Sequence, residues 1–104
     1  MTQIEMFPDA PNPTDVDAVL AQRGSRYGKF IDVSIATVAI QEAVYANMAT
    51  DKLNSLDPDM SVAIDMICHK LARIAVGDAE YVDNWVDIAG YAKLVAERLE
   101  GRIL

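Results

Sequence analysis

Two long helical runs separated by one glycine-centred link constrain this chain more than any other feature. Asp57 and Pro58 open the first run: aspartate suits an N-cap, and a proline in the first turn gives up an amide that has no partner there. The run 60–76 ends at Gly77, where a positive φ is expected after a helix end. The link Gly77-Asp78-Ala79-Glu80 leads to a second run, 81–100, closed in the same way by Gly101. So short a link makes the two runs antiparallel neighbours.

Counted at about 100° per residue, Ile64, Ile67, Leu71 and Ile74 fall on one side of the first run, and Asp65, His69 and Arg73 on the other. On the second run, Trp85, Ile88, Ala92, Val95, Ala96 and Leu99 form the expected core side. Asp83, Asp87, Gly90, Tyr91 and Leu94 form the opposite side. Facing helices would bring Asp65, His69 and Arg73 near Asp83, Asp87 and Tyr91.

The rest of the chain is helical too. Thr14 is the expected N-cap of a short helix carrying Val16, Val19 and Leu20, which Gly24 stops. Positions 31–48 are too apolar for a single buried face, and their length and alanines favour helix over strand despite the β-branched residues. A helix buried on more than one side in so small a protein implies a tight four-helix arrangement or an oligomer. Residues 49–58 form a loop or single turn with Leu53 and Leu56 beneath it. Residues 1–13, with Pro8, Pro11 and Pro13, read as a flexible arm. The expected fold is all-α: residues 14–104 form one compact bundle of about four helices, and the bundle is expected to be a homo-oligomer.

A chain of 104 residues holds one core. Its net charge of -7 disfavours direct binding to nucleic acid, where Lys and Arg neutralise phosphate. No run approaches the roughly 18 uninterrupted apolar residues of a membrane span. Met1-Thr2-Gln3-Ile4-Glu5 lacks the basic-then-apolar order of a secretory signal, and Cys68 is the one cysteine, so a cytoplasmic setting is expected.

The chemistry sits in three places. The segment 23–30 gathers Arg23, Arg26 and Lys29 around Tyr27 and two glycines, a composition that suits either a solvated connector or an anion site with Tyr27 stacking on a base. Asp65 and His69, and Asp83 and Asp87, are pairs at i, i+4 that put two ligand groups on one helical face. The carboxylates suit Mg²⁺, whereas Asp83 and Asp87 equally suit the first turns of a helix through its dipole. His69 reads as a base, a phosphate contact or a structural residue. Lys70 and Arg73 either clamp phosphate or pair with Asp83 and Asp87. Gly90 in mid-helix signals a close neighbour, Tyr91 is a stacking platform, and Trp85 and Cys68 belong to the core. No Ser/His/Asp triad, zinc cysteine set or Walker-type loop is present.

The segments 23–30, 63–74 and 83–92, read together, resemble a family of small phage and prophage proteins of unassigned function, over about 16–99. More distantly, the Tyr-Gly loop, the Lys70-x2-Arg73 helix and the Asp87-Ile88-x-Gly90-Tyr91 helix look like the nucleotide-modification-associated domain of phages and the MazG-like nucleoside triphosphate pyrophosphohydrolases. That resemblance implies a magnesium-dependent nucleotide site on neighbouring helices. The acidic pairs depart from the hydrolases' Glu-x2-Glu and Glu-x2-Asp: the spacing is longer by one, the acids are aspartates, and one member is His69. The resemblance also implies the cytoplasm of an infected or lysogenic bacterium.

Two functions of different class follow. In the first, Arg23, Arg26, Tyr27, Lys29, His69, Lys70, Arg73 and Tyr91 bind a nucleotide or other phosphate ligand, Asp65, Asp83 and Asp87 hold Mg²⁺, and the ligand is hydrolysed or sequestered. In the second, the acidic surface blocks a host defence or nucleic-acid-processing protein, in the manner of an anti-CRISPR inhibitor.

Overall fold

A computed structural model describes residues 15–104. The expected arm 1–13 and the cap at Thr14 lie outside this span. The described residues form five helices and no strand: α1 (Val16–Tyr27), α2 (Phe30–Tyr45), α3 (Thr50–Ser55), α4 (Pro58–Val76) and α5 (Val82–Leu99). None of them is long and apolar enough to cross a membrane.

Local chemistry sets most of the boundaries. Asp15 caps α1, its carboxylate accepting from the Ala18 amide at 3.1 Å. Gly24 does not stop α1, because a glycine in an exposed helix interior costs only about 1 kcal/mol and the helix runs through it. The stop is Gly28, at φ 86°, whose amide closes on the Gly24 carbonyl at 3.0 Å. The expected loop 23–30 is therefore helical as far as Tyr27. Leu53 lies on α3 and is exposed rather than beneath a loop. Asp57 stands at the N-cap of α4 without a side-chain cap bond, its carboxylate going instead to Arg98 at 3.1 Å. Gly101 closes α5 at φ 89°. Gly77 has a negative φ of -101°, so its role differs from the one expected. A Cβ there would overlap the backbone of Arg26 and Tyr27. Gly77 is where the end of α1 crosses the end of α4, and the Asp78 amide donates to the Arg26 carbonyl at 2.8 Å.

α4 lies between α2 and α5 and packs against both, with α1 set against α4 and α2. Two clamps give the directions. Tyr45 Oη donates to Asp65 Oδ1 at 2.5 Å and Gln41 adds a bond at 3.3 Å, tying the C-terminal part of α2 to the middle of α4. Lys70 pairs with Asp87 at 3.0 Å and Arg98 with Asp59 at 2.6 Å, so α4 and α5 are antiparallel.

The buried face of each long helix differs from the expected one. On α4 the buried residues are Ala63, Cys68, Lys70 and Ala72, and Leu71 is 39% exposed. On α5 the buried residue is Asn84, whereas Trp85 is 52% and Leu99 60% exposed. The cause is geometric: α4 has neighbours on two opposite sides, and small residues there let the helix axes approach. Its bulkiest apolar stripe points between those neighbours. Gly90 also departs from expectation, since a Cβ there meets nothing within 4 Å.

Candidate functional site

Where α1 gives way to α2, the chain turns on Gly28 and Lys29 beside the C-terminal half of α4. A Cβ on Gly28 would strike Val76 Cγ1 at 2.6 Å, so this turn needs glycine for its space as well as its positive φ. The turn leaves a cavity of about 550 Å³ between α1, the first turn of α2, and α4. That volume is in the range of small-molecule sites.

Its wall divides by chemistry. Leu20, Phe30 and Val33 supply apolar surface, and Tyr27 an aromatic ring. Arg23, Lys29, Arg73 and His69 supply the polar groups, and among the described residues no acidic side chain lines the cavity. In a chain with 16 Asp and Glu against 9 Lys and Arg, three cations with no carboxylate among them form a local reversal of charge. Among the described residues none of the three is in an ion pair. The cavity also meets the N-terminus of α2, which has no side-chain cap bond, so its first-turn amides add partial positive charge.

Two contacts order the cationic wall. The Arg73 guanidinium lies 4.0 Å over the centroid of the Tyr27 ring. Tyr27 in turn meets Tyr81 edge-on, with centroids 5.7 Å apart at 64°. His69 is half-buried on α4 one turn before Arg73. Burial first, then the Arg73 and Lys70 cations, push its imidazole below the ordinary histidine value, favouring the neutral form.

Five of the residues singled out in the sequence thus line one cavity: Arg23, Tyr27, Lys29, His69 and Arg73. Three others do not line it. Arg26 stacks on Tyr81 at 4.6 Å, Lys70 is buried in its pair with Asp87, and Tyr91 lies half-buried on α5. The acidic residues are dispersed rather than joined. Asp65 takes the Tyr45 and Gln41 donors, Asp83 accepts from Tyr81 Oη at 2.8 Å, and Asp87 holds Lys70. Among the described residues no three His, Cys, Asp or Glu side chains converge on a metal position. The expected meeting of Asp65, His69 and Arg73 with Asp83, Asp87 and Tyr91 does not occur, because α2 and α1 cover that side of α4 and α5 covers another. Among the described residues none of the three aspartates lines the cavity, so they offer no joint position for Mg²⁺ beside it.

Sequence reasoning missed Leu20, Phe30 and Val33 as wall residues. Phe30 carries a readable signal in its aromatic side chain directly after Gly28 and Lys29; the structure puts it at the first position of α2, 82% exposed. Cys68 is 2% exposed, and burial raises its thiol pKa, consistent with a core residue.

A family model described as a domain of unknown function, DUF6378, matches residues 14–99. No curated protein and no solved structure matches the chain.

Proposed function

We propose, from the premise that the chain belongs to the DUF6378 family of unknown function, that it is a nucleotide-binding protein whose site is the cavity at the α1–α2 turn. One observation carries this reading: Arg23, Lys29 and Arg73 converge beside Tyr27 and Phe30 with no carboxylate among the described residues of the wall. Phosphate suits guanidinium forks and free first-turn amides, and a base suits the exposed aromatic and apolar surface. The sequence resemblance to phage nucleotide-modification and MazG-like proteins favours the same ligand class. The dispersed aspartates favour binding over metal-assisted hydrolysis, so sequestration is the activity proposed.

A thermal-shift screen against nucleoside mono-, di- and triphosphates and inorganic phosphate, each with and without Mg²⁺, tests it. A ligand at a hundredfold excess over its Kd stabilises the native state by about 2.7 kcal/mol. A selective shift that is independent of Mg²⁺ and lost in Arg73→Gln and Lys29→Gln is the expected result. A flat panel overturns the reading and favours the acidic inhibitor, and a shift unchanged in both variants overturns the cavity as the site.

A further inference from the structure

The helices form a layer with α4 in the middle, and its two faces differ. His69 and Arg73 lie on the face that α1 covers and the cavity occupies. The opposite face has no cover among the described residues. On α4, Leu71 is about 100° round from Lys70, which meets α5, and about 120° from Asp65, which meets α2. Ile64 and Ile67 share its side. On α5, Trp85 is about 100° on from the buried Asn84, and Ala92 and Leu99 share its side. Because α5 is antiparallel to α4, both rotations lead to the same face of the layer.

We infer that this open apolar face is a two-fold interface with a second copy of the chain, so that two α4–α5 pairs close into a four-helix bundle and the two cavities face outward. The inference is independent of what the cavity binds.

Three observations select a second copy. Among the described residues the buried apolar side chains are few and small, Val33, Ala63, Cys68 and Ala72, and the largest fully buried side chain is Asn84. Cover is therefore required whenever the chain folds, and a second copy is always available in equal amount. The side chains named on the face, Ile64, Ile67, Leu71, Trp85, Ala92 and Leu99, are all apolar, with Lys93 at its rim, although the chain has net charge -7. An uncharged contact surface adds no local charge repulsion to the long-range repulsion of two such molecules, which salt screens. Trp85 is also prepared for apolar contact, since its indole N–H is satisfied internally by the Ala79 carbonyl at 2.8 Å while half of the side chain remains exposed. The size fits as well. Helices of 19 and 18 residues give a face about 27 Å long and, for two helices side by side, about 20 Å wide, a flat footprint of about 540 Å² that side-chain relief brings toward the roughly 800 Å² each partner contributes to a standard interface.

Sedimentation equilibrium of the full chain, with quenching of its single tryptophan by iodide, tests this without any variant. The expected result is twice the 11.4 kDa chain mass at micromolar concentration, with Trp85 protected several-fold relative to free indole. Leu71→Glu and Leu99→Glu, both at exposed positions, should halve the mass, restore quenching and keep the far-UV helical signal. A monomer with quenchable Trp85 overturns the proposal. So does a monomer with protected Trp85, which would assign the cover to the chain's own N-terminal residues. A dimer whose mass is unchanged in both variants overturns it too. If a variant does not fold, the mass and quenching of the unmodified chain decide.

Discussion

The guanidinium of Arg73 lies 4.0 Å above the ring of Tyr27, and this stack joins the middle helix to the end of α1 at the wall of the cationic cavity. A planar guanidinium stacks and still presents N–H groups along its edge, which an ammonium cannot do. Arg73→Lys keeps the charge and loses that arrangement. It should weaken binding of the best-shifting nucleotide about tenfold, or about 1.4 kcal/mol, by calorimetry. The unliganded melting temperature should change little.

His69 makes stability depend on pH. Its folded pKa lies below the unfolded value near 6.5, through burial first and the neighbouring cations second. The native state then holds fewer protons than the unfolded chain below that value. The contribution is fully present above pH 6.5 and is lost as pH falls through 6.5 toward the folded pKa. Urea midpoints should therefore fall between pH 7 and 5, and His69→Gln should flatten the fall. An identical slope in the variant would assign the effect elsewhere.

Lys70 and Asp87 form an asymmetric pair, with side chains 10% and 45% exposed. Removing the exposed member leaves a buried ammonium unpaired, whereas removing the buried member leaves a carboxylate that water can reach. Asp87→Asn should thus cost about 1–3 kcal/mol in denaturant titration, and Lys70→Met distinctly less. Equal losses would show that the pair itself, rather than the buried charge, governs this contact.

The helix boundaries were largely legible in the chain, and the faces were not. Pro58 and Gly101 act within a turn of their own positions, so local rules place them. Ile64, Ile67, Leu71 and Ile74 form the stronger apolar stripe of α4, yet Ala63, Cys68 and Ala72 meet the neighbouring helices. Close helix contact selects small side chains, and a helix flanked on two sides has no single core stripe to read. The same logic separates the site residues. Arg23, Tyr27 and Lys29 are near in sequence and stay together, and His69 and Arg73 reach them because α1 crosses α4. Whether Asp65 faced α2 or α5 was a tertiary matter, decided by the reach of Tyr45.

Gly77 and Gly90 give opposite predictions for the same substitution. Gly90 is exposed in the interior of α5, with nothing within 4 Å of an added Cβ. Gly90→Ala should stabilise by about 1 kcal/mol, mainly by restricting the unfolded chain, and raise the melting temperature by about 4–8 °C. At Gly77 an added Cβ meets the backbone of Arg26 and Tyr27, which cannot yield as a flexible side chain can. Gly77→Ala must push α1 off α4, breaking the Asp78–Arg26 hydrogen bond and opening the cavity. It should lower the melting temperature and abolish the nucleotide shift together. A Gly77→Ala protein as stable as the unmodified chain would mean that α1 does not cross α4 at this point.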